Sequence, residues 1–570
     1  MEKIRKIRYS LAMISDALSN ILSLLSGIGV FLIACTMLSE NLQALSSGNL
    51  RRLFCKTSNS TILGIGIGTL GTAVIQSSGA TSVMAIGFVN AGIMTLKQAT
   101  AIMYGASIGT TVTGQIVALG LTAEKSISTG VILSSLVGIG ALLLVFSKDD
   151  RRKKVGGVIA GFGMLFVGLE VMSTAMKKLA ALEPLRLFIA SVSNPFLLIF
   201  LGIVITAIVQ SSSVTTSIAI TMLVSGLISL YQGIYLTLGA NIGTCSVAIL
   251  SSVSGTANSK RTALIQVFLK TFGVAVFLIA EIVFSICSSG TLSWASIFYK
   301  LFPNAAQTQL AMFHSLFNIA NVVLFLPFIN TLVNISTRLI KQTEEDKNKL
   351  KLYYLDYNMF KTPSVAVLQV KNEVYNMGKI ALGNFNLAMD MICTMNNSEL
   401  GRFQKTEQEI DFLNLEISKY VTELQRITKS RSDLCYLATT FRSVADFERI
   451  GDYAENITEY QKNLAENGDS FPKEALDEIT KTRTMINSLA EHIFAAYSNR
   501  DFNEFETARK IEDEIDALTD TMADNYITRL GNGTFNANTG AQFLALSKNM
   551  ERIGDHFFNV GKTINLCQND

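Results

Sequence analysis

Residues 76–114 read QSSGATSVMAIGFVNAGIMTLKQATAIMYGASIGTTVTG, and residues 210–248 read QSSSVTTSIAITMLVSGLISLYQGIYLTLGANIGTCSVA. At this offset of 134 residues, 14 of the 39 positions are identical and no gap is needed. Gln76, Ser77, Ser78, Thr81, Gly105, Gly109 and Thr110 recur as Gln210, Ser211, Ser212, Thr215, Gly239, Gly243 and Thr244. The same offset carries Gly27 and Gly29 onto Gly161 and Gly163, Ser39 onto Ser173 and Leu45 onto Leu179. The repeated unit is therefore a whole structural half, about 21–121 and 155–255, and self-similarity at a fixed offset decides the fold before any shorter motif.

Around these copies the chain is apolar enough to cross a bilayer. A spanning helix needs about 20 apolar residues, and runs of that kind lie at 21–39, 99–121, 127–146, 155–176, 232–253, 262–287 and 308–337. Stretches 61–94 and 196–229 are apolar but broken by Gly, Ser and Thr, so each reads as a re-entrant hairpin. If each QSS stretch enters and leaves on one side, three spans separate the copies, and an odd number inverts one half relative to the other. Inverted repeats with interrupted segments at matching positions point to a transporter whose site lies at the repeat interface. Basic residues at Lys148–Lys154, at Lys260 and Arg261, and at Arg338 fall on one side, expected to be cytoplasmic. The basic N-terminus then requires either an interfacial segment over residues 1–18 or one further crossing.

Charge divides the 570 residues into two bodies. Up to residue 340 there are 22 Lys and Arg against 9 Asp and Glu; beyond it there are 26 against 36. The formal net charge of +3 describes neither, and a chain with 16% charged residues overall departs from the roughly 25% of soluble domains. The expected organisation is a membrane domain over 1–340, a linker over 341–362 and a helical domain over 363–570. The seven cysteines are scattered without a CxxC pair and read as reduced thiols. No P-loop and no HExxH is present, and the three histidines argue against an enzyme.

Between residues 60 and 147 the only charges are Lys97, Glu124 and Lys125. An anion bound there must be held by neutral groups, and a half-helix beginning at Ser77 or Ser78, or at Ser211 or Ser212, offers free N–H groups, a positive dipole end and hydroxyl donors. Carbonyl ends of the preceding half-helices and the side-chain oxygens of Gln76 and Gln210 are hard ligands for a small cation such as Na⁺. A single Ser or Thr in a membrane helix is commonly a packing residue; Gln at one place in both copies is not what a packing face requires. His314, Asn318 and Asn321 are compatible with plain interior hydrogen bonding. Glu170 and Glu281 are intramembrane carboxylates, hence candidates, but lack counterparts in the other copy.

QSSGAT, QSSSVT, GASIGTT, GANIGTC and FHSLFN together resemble the type II sodium-phosphate cotransporter family over about residues 20–335. The resemblance implies Na⁺-coupled transport of inorganic phosphate by a multi-pass protein of the bacterial plasma membrane. It implies a site built from Gln76, Ser77, Ser78, Gln210, Ser211, Ser212 and Ser213, with Thr110, Thr111, Asn241 and Thr244 behind them. Three positions depart from that pattern: Gly79 stands for a third serine, Ser107 opposes Asn241, and Cys245 opposes Thr111. A phosphate exporter and a sensor with little transport are the rival readings. Expected partners are phosphate, sodium and the lipid bilayer, with a homodimer as a further option and no nucleic acid.

Beyond residue 345 amphipathic helices are expected at 364–396, 401–430, 433–465, 473–498, 503–531 and 538–566. This part is duplicated too. Glu407-Gln-Glu-Ile-Asp411 recurs as Glu512-Asp-Glu-Ile-Asp516, and Glu448-Arg-Ile-Gly-Asp452 as Glu551-Arg-Ile-Gly-Asp555. Two three-helix bundles follow, each with ExxxD on its second and third helices. Like charges at i and i+4 share a helix face and cost roughly 0.2–0.5 kcal/mol, so either a bound cation or a solvated face with Arg449 and Arg552 must compensate. The duplicated ERIGD sequences resemble the PhoU family, which implies iron, manganese or magnesium at Glu407, Asp411, Glu448, Asp452, Glu512, Asp516, Glu551 and Asp555. It also implies a regulatory role in phosphate homeostasis. The fold class expected overall is all-α.

Overall fold

The computed structural model of the chain describes residues 2–55, 60–90, 94–121, 129–253, 257–341, 350, 352–361, 363–499 and 502–566, the side chains of 2–15, 17, 47–55, 129, 358, 361, 499, 502 and 564–566 excepted. The chain divides into two compact units, Met1–Gln342 and Thr343–Asp570. Every regular element among the described residues is helical. Residues 342–349, 351 and 362 of the expected linker, and Glu124 and Lys125, lie outside the described residues.

The first repeat begins with helix α1 (Glu2–Cys55). Its 54 residues give a length of about 80 Å, of which Leu18–Ser46 is the membrane-crossing stretch. The backbone of residues 2–18 simply continues that helix, so no separate crossing precedes it. A hairpin follows, α2 (Thr61–Ile75) and α3 (Ser78–Asn90), then a crossing broken at Thr110 into α4 (Leu96–Gly109) and α5 (Thr111–Gly120). Helices α6 (Thr129–Ser134) and α7 (Leu136–Phe146) lead to the second repeat. There α8 (Asp150–Ala180) matches α1, α10 (Pro195–Val209) and α11 (Ser212–Val224) form the second hairpin, and α12 (Leu230–Gly243) and α13 (Cys245–Ser252) form the second broken crossing. Between them α9 (Glu183–Ser191), a short helix not expected from hydropathy, meets α10 at 107°.

Three more helices flank the duplicated core: α14 (Ala257–Cys287), α16 (Ala306–Phe325) and α17 (Ile329–Leu339). Between α14 and α16 lies another unexpected short helix, α15 (Trp294–Leu301), whose ring system stacks on Phe277 and meets Phe313 edge-on. Its start explains Glu281, whose carboxylate accepts from the Trp294 N–H at 2.8 Å. Glu170 is exposed on α8. Among the described residues, six helices are long and apolar enough to cross a membrane, and a seventh span results if α9 and α10 count as one.

Packing of α1 on α8 reveals how the halves are related. Gly27 abuts Met172, Phe31 abuts Gly168, Leu38 abuts Gly161 and Asn41 abuts Gly157. The partner number falls as the α1 number rises, so the equivalent helices run antiparallel. Moving Gly161 back by 134 positions and Leu38 forward by 134 turns their pair into Gly27–Met172 with the roles exchanged, which is the reciprocity of a two-fold axis.

The first arm of each hairpin packs on the crossing of its own repeat by backbone contact. A Cβ at Gly105 would overlap the carbonyl oxygen of Ile65, and one at Gly239 would overlap that of Ile199, the matching residue. Gly68 against Ile102 and Gly202 against Leu236 complete the set. The glycines of the GASIG and GANIG signatures therefore stay helical and serve close approach. In lipid, where apolar burial does not drive helices together, small residues that let backbones touch supply that packing.

The second unit has six helices: α18 (Pro363–Thr394), α19 (Leu400–Ile427), α20 (Arg431–Glu466), α21 (Lys473–Asn499), α22 (Phe502–Gly531) and α23 (Ala537–Leu566). All lie within three residues of the expected bounds. They form two three-helix bundles joined chiefly through α20 and α23, around buried residues such as Phe447, Phe543 and Phe557. A strap over residues 352–361 is tied to α18 by Glu373, whose carboxylate accepts from the N–H groups of Tyr353, Tyr354 and Leu355 at 3.1, 2.6 and 3.1 Å.

Candidate functional site

The QSS sequences act locally in the same way twice. Gln76 stands at φ 58°, ψ 23° and Gln210 at φ 58°, ψ 22°, a left-handed conformation uncommon for any residue other than glycine. This residue ends the first half-helix, its N–H donating to Thr72 or Thr206 at 2.7 Å. Ser77 and Ser211 then cap the second half-helix: their hydroxyls accept from Ala80 N–H at 3.1 Å and Val214 N–H at 3.4 Å. The Thr72 hydroxyl donates to Thr81 at 2.9 Å and the Thr206 hydroxyl to Thr215 at 2.8 Å, pinning the two arms beside the break. Ser78, Ser212 and Ser213 occupy the first turn after the break, and their hydroxyls take no hydrogen bond among the described residues. Ser212 and Ser213 are buried, and Ser78 is half-buried.

Each hairpin meets the broken crossing of the other repeat. Gly79, one residue past Ser78, faces Val247 of α13, and α11 packs on α5. Thr110 and Thr244 sit at the breaks of those crossings, with φ −59° and ψ −27° or −26°. The Thr244 hydroxyl donates to Ala240 O at 3.1 Å and that of Thr111 to Ile108 O at 2.8 Å, whereas the Thr110 hydroxyl is buried without a partner. Cys245, where Thr111 has its counterpart, donates instead to Gln266 O at 3.6 Å.

The two copies are wired differently at their centres. Gln76 is clamped: its amide nitrogen donates to Ala73 O at 2.6 Å and its oxygen accepts from the Thr113 hydroxyl at 2.8 Å. Val247 occupies the matching place in the second copy, and Gln210 is exposed with a free side chain among the described residues. Ser107 donates only to Met103 O. Its counterpart Asn241 accepts at Oδ1 from Lys270 at 3.2 Å, and the same ammonium donates to Asn318 Oδ1 at 3.0 Å.

Lys270 was not among the expected site residues, although the lone lysine of the 262–287 span was there to be read. His314 and Asn318 of FHSLFN share the α16 face that meets this cluster. Asn321 bonds Leu269 O at 3.3 Å, and both His314 ring nitrogens are buried without partners.

In the acidic unit the ExxxD pairs of α19 and α20 interact electrostatically, as do those of α22 and α23. Burial, then Asp411, pushes the Glu407 carboxyl up to about 7; burial, then Asp452, raises Glu448. Burial, then Asp516, raises Glu512; burial, then Asp555, raises Asp516. Glu407 accepts from Asn384 at 2.9 Å and lies against Gly451, where a Cβ would come within 2.7 Å of its carboxylate oxygen. Glu551 is paired with Lys548, and Arg552 stacks on Tyr453. His556 pairs with Asp446 at 2.9 Å. Among the described residues no three His, Cys, Asp or Glu side chains converge to hold a metal ion. The charge of the carboxylate sets suits a cation, but they do not enclose one as they stand.

A duplicated, charge-poor bundle with a broken hairpin in each half is the framework of a secondary transporter. Comparison with known proteins gives the family. The Na⁺/Pi-cotransporter profile matches residues 30–174 and 168–294, one match per repeat, and the PhoU domain profile matches 374–461 and 479–564. The chain belongs to the Na⁺/Pi-cotransporter family and carries a C-terminal PhoU domain. It is 30% identical to the uncharacterized protein YqeW of Bacillus subtilis, over 53% of this chain and 92% of that one. It is 22% identical over 88% of both chains to YjbB of Escherichia coli, named for a proposed role in inorganic phosphate export. A PhoU homolog of Xylella fastidiosa, named as an accessory protein of phosphate-specific transport, is 26% identical over 37% of this chain and 87% of its own. No solved structure matches the chain.

Proposed function

We propose that the chain moves inorganic phosphate across the bacterial plasma membrane, coupled to Na⁺, through a site between its two hairpins. The observation that carries this reading is the pair of left-handed breaks at Gln76 and Gln210. Each opens a half-helix whose first turn presents unengaged serine hydroxyls in a region almost without charge. Ser78, Ser212 and Ser213 would donate to the phosphate oxygens together with the half-helix N–H groups, and neutral donors let the anion leave again. Carbonyl ends at the breaks, with Thr110 and Gln210, are the oxygen ligands offered to Na⁺. The antiparallel relation of α1 and α8 supports inverted repeats that rock against each other, and the basic residues between spans support a cytoplasmic PhoU domain.

Proteoliposomes loaded with labelled phosphate test this. Flux should follow an imposed Na⁺ gradient, and indifference to it sinks the coupling. Ser78→Ala and Ser212→Ala should each lower flux about tenfold, the equivalent of roughly 1.4 kcal/mol, while the protein still inserts. Full flux in both variants would move the site elsewhere.

Export is the second reading, favoured by the likeness to YjbB over nearly its whole length, PhoU domain included. The same coupled site runs outward when the internal phosphate load is high. Phosphate release from loaded cells, with and without the chain, separates net export from uptake.

In the PhoU domain the ExxxD carboxylates are the groups that would hold iron, manganese or magnesium, relieving the repulsion among them. Metal analysis of the purified chain should find such an ion and its loss in a Glu448→Ala, Glu551→Ala variant. Equal metal content in both returns these residues to a solvated face.

A further inference from the structure

Lys270 is a cation in a place where cations are expensive. A lysine at the centre of a membrane helix costs roughly 2.5–3.5 kcal/mol on insertion scales, and an ionisable residue kept at that depth is a functional candidate. Lys270 is 3% exposed, and its ammonium lies on two neutral amide oxygens, Asn241 at 3.2 Å and Asn318 at 3.0 Å. Asn241 belongs to the last turn of α12, the negative dipole end of that half-helix. Two amide oxygens at the carbonyl end of a broken helix are the ligands a small hard cation would take. Here an ammonium takes them.

The matching place in the first repeat has no such occupant. Helix α4 ends there with the same backbone, but Ser107 replaces Asn241, Leu136 holds the position 134 residues before Lys270, and among the described residues no cation bonds Ser107. The Thr110 hydroxyl at that break is 4% exposed and unpartnered. The second repeat has also lost an oxygen: Cys245 stands opposite Thr111. One repeat thus keeps a buried hydroxyl without a partner at its break, and the other has a cation from within the chain beside its break.

We propose that Lys270 is a resident cation, standing where repeat symmetry would otherwise call for an exchangeable ion, so that the α12–α13 break needs no Na⁺ of its own. This rests on the Na⁺-coupled reading for the first repeat only. Its consequence is that coupling ions load on one side of the pseudo-symmetry.

The test is phosphate flux into proteoliposomes against Na⁺ concentration, for the full chain and for Lys270→Ala, Lys270→Gln and Lys270→Arg. Removing the ammonium should open a second cation site. In Lys270→Ala the flux at low Na⁺ should fall roughly tenfold and recover at high Na⁺, with the Hill coefficient for Na⁺ rising by about one. Lys270→Arg, which keeps the charge, should hold the wild-type Hill coefficient. A loss in Lys270→Ala by the same factor at every Na⁺ concentration overturns the proposal in favour of a structural role. A raised phosphate KM with an unchanged Na⁺ curve overturns it in favour of direct anion binding.

If Lys270→Ala fails to insert, Lys270→Gln keeps a donor for both asparagines without the charge. Equilibrium ²²Na⁺ binding should then count about one more ion per chain than wild type, and an equal count overturns the proposal. Wild-type flux indifferent to Na⁺ breaks the coupling reading alone; Na⁺ dependence appearing in Lys270→Ala would still identify a resident cation.

Discussion

The two repeats share a backbone and differ in what lies at its break. Gln76 and Gln210 have the same dihedral angles, and the threonine pairs beside them have the same bond within 0.1 Å. Yet Gln76 is fastened to Thr113 while Gln210 is free, and among the described residues a lysine bonds Asn241 of the second crossing whereas none bonds Ser107 of the first. The duplicated features are those that make a hairpin: the left-handed joint, the serine cap, and glycines where two backbones touch. The unduplicated ones are polar contacts between a hairpin and its surroundings. Architecture is symmetric here, and chemistry is not.

The strongest way to break that symmetry is to attack what both halves need. Gly105→Ala and Gly239→Ala place a methyl group against a carbonyl oxygen with no flexible neighbour to yield. Overpacking costs about 1–3 kcal/mol or more, so both variants should lose folded protein in detergent, to a similar extent, as read by size-exclusion profiles. A large difference between the two would mean that the hairpins are not held alike.

A sharper test exchanges the fasteners. Thr113→Val gives the first break the residue of the second and should release Gln76, at about 1 kcal/mol for a lost hydrogen bond. Val247→Thr offers Gln210 a clamp it lacks. Phosphate flux should change several-fold in each, and if neither moves it, the asymmetry of the glutamines is incidental.

The acidic unit repeats the lesson at smaller scale, since its first bundle holds two carboxyls raised to about 7 by burial, Glu373 and Glu407. For Glu373 the folded value lies above the unfolded 4.5. Its contribution to stability is therefore complete below pH 4.5 and lost as pH rises towards 7. The unfolding midpoint of the second unit should fall by a few degrees over that window, and by less in Glu373→Gln. An identical fall in the variant would assign the effect to other groups.

Much of this was legible from residues alone. The 134-residue offset, both hairpins, the start of each half-helix to within one residue and the six helices of the second unit followed from repetition, periodicity and cap chemistry, all local. The short helices α9 and α15 did not, because each is too brief for a hydropathy signal. Lys270 was visible but had no meaning without a partner: only folding brings α12, α14 and α16 together. The same holds for Thr113 on Gln76 and for Asn384 on Glu407, contacts between elements that a linear pattern does not encode.

Antiparallel packing of α1 on α8 has an evolutionary reading. Residues that exchange roles across an axis are what two copies of a half-length chain would present to each other, one inserted each way up. The present chain is in that sense a homodimer joined through helices α6 and α7. Joining freed each half to mutate without its twin. A lysine at position 270 could then arise on one side of the axis alone, which a true homodimer could never have achieved.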